Sequence, residues 1–187
     1  MNLTPITVAA IIVAILAIAV AIWALLEVRK MRRLRFKFGP EYDRTVQREG
    51  DAEHAARVLE KRERRVSSYH IRPLSPREVD GFASAWRVVQ EHFVDSPREA
   101  LSEADQLIDD AMKARGYPVS DFEAQAADLS VDYPSVVENY RAAHAIDLRQ
   151  SEARTDTEEM RKAMRHYHAL FEQLIGAGRL HQVREAN

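Results

Sequence analysis

The sequence predicts an all-α protein: an N-terminal transmembrane helix, a basic helical stalk, then a small helical bundle. Three observations predict it. Residues 6–26 are apolar at 20 of 21 positions, Thr7 being the exception. Arg29, Lys30, Arg32, Arg33, Arg35 and Lys37 follow that run. Beyond them, apolar residues recur at spacings of three and four between helix-capping signals, with no hairpin dipeptide or alternating β-branched run. The expected divisions are 1–28 as a transmembrane anchor, 29–70 as a basic juxtamembrane region and stalk, 71–176 as an α-helical bundle, and 177–187 as a flexible tail.

The anchor follows from length and charge. No charged side chain precedes Glu27. Twenty-one helical residues span about 31 Å, the thickness of a bilayer's hydrocarbon core. A secretory signal peptide has a basic start, a shorter apolar run and a small-residue cleavage site beyond that run. Here the small-x-small triplet Ala17-Ile18-Ala19 lies inside the apolar run. The six cations lie on one side of the run only. The positive-inside rule then places the C-terminal domain in the cytoplasm and the N-terminus outside. The same six are expected to contact lipid headgroups. Residues 27–68 carry 13 Lys/Arg and 8 Asp/Glu, a net of +5, and residues 69–187 carry a net of -7.

The elements follow in order. Gly39-Pro40 breaks the chain after the basic cluster. Glu41 to Glu49 reads as a helix, and Gly50-Asp51 interrupts it, with Asp51 able to cap a second piece. From Ala52 to Val66 the stripe is thin: Ala52, Ala55, Leu59 and Val66, with Arg62 in the missing heptad position. That pattern predicts an exposed stalk or weak coiled coil, and with it self-association through Ala52 to Val66. Ser75, Pro76 and Glu78 then form a strong helix start, followed by Val79, Phe82, Trp86, Val89 and Phe93 on one face. Trp86, inside that face, reads as a core residue. Ser96-Pro97 opens the next helix, whose face holds Leu101, Ala104, Ile108 and Ala111 and which Gly116 ends. Ser120 and Glu123 read as a capping box for a short helix to about Leu129. Tyr133-Pro134 starts another, with Val136, Val137, Tyr140 and Ala143 on its face. Thr155 and Glu158 read as the start of the last helix, with Met160, Met164, Tyr167, Phe171 and Leu174 on its face and Gly176 as its stop.

Composition excludes several kinds of chemistry. There is no cysteine, hence no disulfide, thiolate nucleophile or cysteine-ligated metal. A net charge of -2 excludes a generally basic nucleic-acid binder. Phosphate-loop, dinucleotide, zincin, nucleophile-elbow and EF-hand motifs are all missing. His166 and His168 are two apart and point in different directions on a helix, which disfavours a metal pair. No cofactor or metal is therefore expected. The densest polar and aromatic segment runs from Tyr117 to His144. Within it Tyr140 and His144 are i, i+4 neighbours, and a polar pocket near Asp128, Tyr140 and His144 is the candidate chemical site.

Several phrases carry a resemblance: Phe38-Gly39-Pro40-Glu41-Tyr42-Asp43-Arg44, Ile71-Arg72-Pro73-Leu74-Ser75, Arg115-Gly116-Tyr117-Pro118, and Val137-Glu138-Asn139-Tyr140-Arg141-Ala142-Ala143-His144. Over residues 38–175 the chain resembles a group of uncharacterised bacterial single-pass membrane proteins, some of them labelled secreted. The resemblance implies a bacterial origin and brings no activity or catalytic residue. The expected function is a membrane-anchored cytoplasmic helical domain in the bacterial inner membrane, acting on a protein partner or on the membrane surface. The alternative is an enzyme or small-molecule binder at the polar pocket.

Overall fold

The computed structural model describes the backbone of residues 5–118, 120–150 and 156–185, and the side chains of 13–118, 120–149 and 156–176. Among the described residues there are eight helices and no strand. The chain forms two compact units, residues 1–59 and 60–187, which meet within the third helix.

In the first unit, α1 (Pro5–Phe38) is a single 34-residue helix. Its large apolar side chains from Val13 to Val28 are 49 to 68% exposed on every side. Among the described residues no helix is long and apolar enough to cross a membrane. The described apolar side chains begin at Val13, and 14 residues to Leu26 span about 21 Å, short of the roughly 30 Å hydrocarbon core. The rest of the predicted anchor, Ile6 to Ile12, lies outside the residues with described side chains.

Further along α1 the pattern changes. Leu34 and Phe38 are fully buried. Gly39 turns the chain at φ 52, its N–H donating to the Arg35 carbonyl, and Pro40 opens α2 (Pro40–Glu49). Gly50 closes α2 in the left-handed region at φ 84, a conformation costly for a residue with a Cβ. Asp51 then caps α3 (Ala52–Ser67), its Oδ1 accepting from the His54 N–H at 2.8 Å. The sequence anticipated each of these breaks. It also anticipated an exposed α3, and that is corrected: Ala55, Ala56 and Leu59 are fully buried, and so nearly are Arg62 and Val66.

The second unit begins with the end of α3 and the connector 68–75. It continues through α4 (Pro76–Asp95), α5 (Pro97–Arg115), α6 (Phe122–Asp132), α7 (Val137–Gln150) and α8 (Thr157–Glu185). Ser75 and Glu78 make the expected reciprocal capping box. α5 is central and packs against α4, α7 and α8. Its Leu101, Ala104, Ile108 and Ala111 meet Met160, Met164, Tyr167, Phe171 and Leu174 of α8 in one core, which Trp86 joins from α4. Trp86 stacks on Phe171 at 4.6 Å and on His168 at 5.2 Å between ring centroids. Burial of such rings and their stacking both stabilise this core.

Gly116 ends α5 as expected, at φ 98, for two reasons. A Cβ there would stand 2.4 Å from the His70 carbonyl oxygen. The connector runs that close because the Arg72 N–H donates to the Arg115 carbonyl at 2.9 Å. Three helix ends differ from expectation. Asp121, not Ser120, caps α6 by accepting from the Ala124 N–H at 2.9 Å; its carboxylate is the better acceptor for N–H groups at a helix start. Tyr133 closes α6, so α7 begins after a turn, at Val137. α8 continues through Gly176 to Glu185; a helical glycine costs only about 1 kcal/mol relative to alanine and stops a helix only where it turns left-handed. Thr155, expected to cap α8, lies outside the described residues.

Candidate functional site

The chemistry-bearing side chains gather between α5, α7 and α8. On α5, Asp105 stands four residues after Leu101 and three before Ile108, which places it in the apolar stripe. Asp109 follows one turn later. On α7, Tyr140, His144 and Asp147 share one face at i, i+4 and i+7. α8 contributes Tyr167, fully buried, and α6 contributes Gln125 and Phe122. Tyr140 donates its hydroxyl proton to Gln125 Oε1 at 3.3 Å. The His144 ring lies flat on Phe122, 3.6 Å between centroids, and its Nδ1 is 4.0 Å from Asp105 Oδ2.

The electrostatics follow from burial. Burial pushes the Asp105 carboxyl up to about 6; the negative charges of Asp109 and Asp147 add to this, and the Tyr167 and Tyr140 hydroxyls oppose it. Burial also raises Asp109, against Gln125 and Lys113, and raises Asp147, against His144. Burial lowers His144 despite the carboxylates of Asp147, Glu123 and Asp109. Desolvation favours the neutral form of each of these groups. Asp105 Oδ1, Asp109 Oδ1, His144 Nδ1 and the Tyr167 hydroxyl are buried and make no hydrogen bond among the described residues. The arrangement can hold and exchange a proton near neutral pH. Among the described residues no group of three or more His, Asp or Glu side chains is placed to hold a metal ion.

Of the three residues anticipated as a pocket, Tyr140 and His144 come together and Asp128 serves elsewhere. Asp128 accepts from Arg65 Nε at 3.0 Å, from Arg65 Nη2, and from the Tyr69 hydroxyl at 2.9 Å. With the Arg62 to Ser130 hydrogen bond at 2.8 Å, it pins the end of α3 and the connector to α6. Asp105 occupies the carboxylate's place beside His144. Sequence reasoning missed Asp105, Asp109, Asp147 and Tyr167 as a group. One signal was legible: an acidic i, i+4 pair set into an apolar stripe, where like charges repel.

Two further surfaces stand out. An open groove of about 660 Å³ runs between α4 and α5, lined by Ala85, Val88, Val89 and Leu107, with His92 Nδ1 3.0 Å from Glu103 Oε2 at its edge. A smaller hollow at Phe82 and Gly81 shares Ala85 and Leu107 with it. On α1, Arg29, Arg32, Arg33 and Arg35 are exposed, and Lys30 and Lys37 are half-buried. Comparisons with protein families, with curated proteins and with solved structures found no match to this chain.

Proposed function

We propose that the chain is a single-pass protein of a bacterial cell membrane, whose cytoplasmic helical domain binds another protein or the membrane surface. One observation carries the reading. α1 exposes large apolar side chains on all sides from Val13 to Val28, and in sequence the apolar run extends back to Ile6. A helix apolar all round is stable when lipid or protein surrounds it. The basic residues that follow support a cytoplasmic domain. The α4–α5 groove supports the binding role, since an apolar hollow of this size on a folded domain is a common protein contact.

Topology tests it. The native chain has no cysteine, so Ser135→Cys, on the exposed turn before α7, gives one reactive site. In intact cells a membrane-impermeant maleimide should leave it unlabelled until lysis. Labelling before lysis would reverse the orientation, and recovery of the chain in the soluble fraction would overturn the anchor.

A second reading has its own observation, the raised Asp105 carboxyl beside Tyr140 and His144. It makes the domain a small-molecule binder or acid–base catalyst at that cluster. A ligand there would shift the His144 ring resonances and lose affinity in Asp105→Asn. Shifts that persist unchanged in that variant would place the ligand elsewhere.

A further inference from the structure

Helical register sorts the six cations of α1. Arg29, Arg32, Arg33 and Phe36 fall at i, i+3, i+4 and i+7, so they share one face, and all four are exposed. Leu34 and Phe38 are buried. Lys30, Arg35 and Lys37 fall off that face, and Lys30 and Lys37 are half-buried.

Depth sorts them again. α1 continues as one helix past the apolar run. Counted from Leu26 at 1.5 Å per residue, Arg29, Arg32 and Arg33 stand about 4.5, 9 and 10.5 Å beyond the run. Arg35 and Lys37 stand about 13.5 and 16.5 Å beyond it. The headgroup layer is roughly 5–8 Å thick on each side. Helical side chains lean toward the helix N-terminus, which is the apolar end of α1. The long arginines at 32 and 33 therefore reach back into that layer. Phe36, 94% exposed, stands about 15 Å out, too far to enter hydrocarbon.

We propose that Arg29, Arg32 and Arg33 form a binding face for the phosphate headgroups of anionic lipids. This rests on the membrane-anchor reading above. The partner chemistry follows from the side chains: a guanidinium offers a fork of N–H donors that matches phosphate oxygens, and does so better than an ammonium. Three of them along one face would gather acidic lipid from a mixed leaflet, with each cation near the surface strengthening binding by about fivefold and less than additively together.

The test uses the full chain reconstituted into phosphatidylcholine vesicles containing about one part in twenty phosphatidylglycerol. Energy transfer from tryptophan to a trace of dansyl-headgroup lipid reads local composition, since Trp23 lies at the end of the apolar run. The dansyl-phosphatidylglycerol signal should exceed the dansyl-phosphatidylcholine signal by an amount matching about tenfold local enrichment. Joint replacement Arg29→Gln, Arg32→Gln and Arg33→Gln should bring the two signals together. Arg35→Gln with Lys37→Gln, and separately Phe36→Ala, should leave the enrichment within twofold. Equal signals in the native chain, or equal losses in both sets of charge variants, would overturn the proposal while leaving the anchor standing. Failure of the native chain to float with vesicles of either composition would overturn the anchor and this face with it.

Discussion

Replacing Asp105 by Asn should stabilise the protein at pH 8 and leave it nearly unchanged at pH 4. The Asp105 side chain is 26% exposed, and its carboxyl is raised from 3.8 to about 6. At about 1.4 kcal/mol per pH unit, that difference makes the ionised form about 3 kcal/mol less favourable in the folded state than in the unfolded one. Residual exposure screens part of it, leaving about 2 kcal/mol. A raised folded-state pKa means that the folded state holds the proton more tightly. The favourable contribution is therefore complete below about pH 4, falls as pH rises from 4 through 6, and is absent above that. Asn keeps the shape but cannot ionise, so it escapes the loss. Thermal unfolding of the full chain in mild detergent, followed by circular dichroism from pH 4 to 8, reads the effect. For a domain of this size, about 2 kcal/mol corresponds to roughly 4–8 °C in Tm. The gap between variant and native Tm should open between pH 4 and 7 and then level off. A gap independent of pH, or a variant less stable at pH 8, would refute the reasoning and return Asp105 to an ordinary solvated carboxylate.

Other substitutions probe the frame around the cluster. Gly116→Ala forces a Cβ into the left-handed region and to 2.4 Å from the His70 carbonyl oxygen, and should cost about 2 kcal/mol or more in Tm-derived stability. Gly81→Ala, in open space within α4, should instead stabilise by up to about 1 kcal/mol, and a loss there would show that the hollow beside it needs the missing Cβ. A double-mutant cycle on Arg65→Ala and Asp128→Ala should return a coupling of about 1 kcal/mol, because Asp128 is buried and Arg65 half in water. A coupling near zero would mean that this pair does not hold α3 to α6.

The local features of the fold were legible because their causes are local. The capping box at Ser75 and Glu78, the proline starts at Pro40, Pro76 and Pro97, and the left-handed ends at Gly50 and Gly116 depend on a few consecutive residues. The faces of α4, α5 and α8 were legible for the same reason: a helix turns 100° per residue, and its buried side recurs in sequence. Tyr140 and His144 could be paired from spacing alone. Asp121 against Ser120 was a choice between two adjacent caps, and Gly176 was read as a stop although nothing forces a helical glycine to turn.

That the chain is helical, where most of its helices break and which stripes form the core were all readable along the chain. Packing settles what spacing cannot: which polar residues beside those stripes are covered. Asp105, Asp147 and Tyr167 lie far apart in sequence, and each taken alone reads as a solvated edge or a satisfied core residue. Only the packing of α5 between α7 and α8 takes water from them together, and loss of water raises their pKa values. The same is true of α3, whose thin stripe and many charges suggest exposure. Arg62, buried on α3, has its partner on α6 at Ser130, and a charged side chain given a hydrogen-bond partner can be buried where one without it cannot.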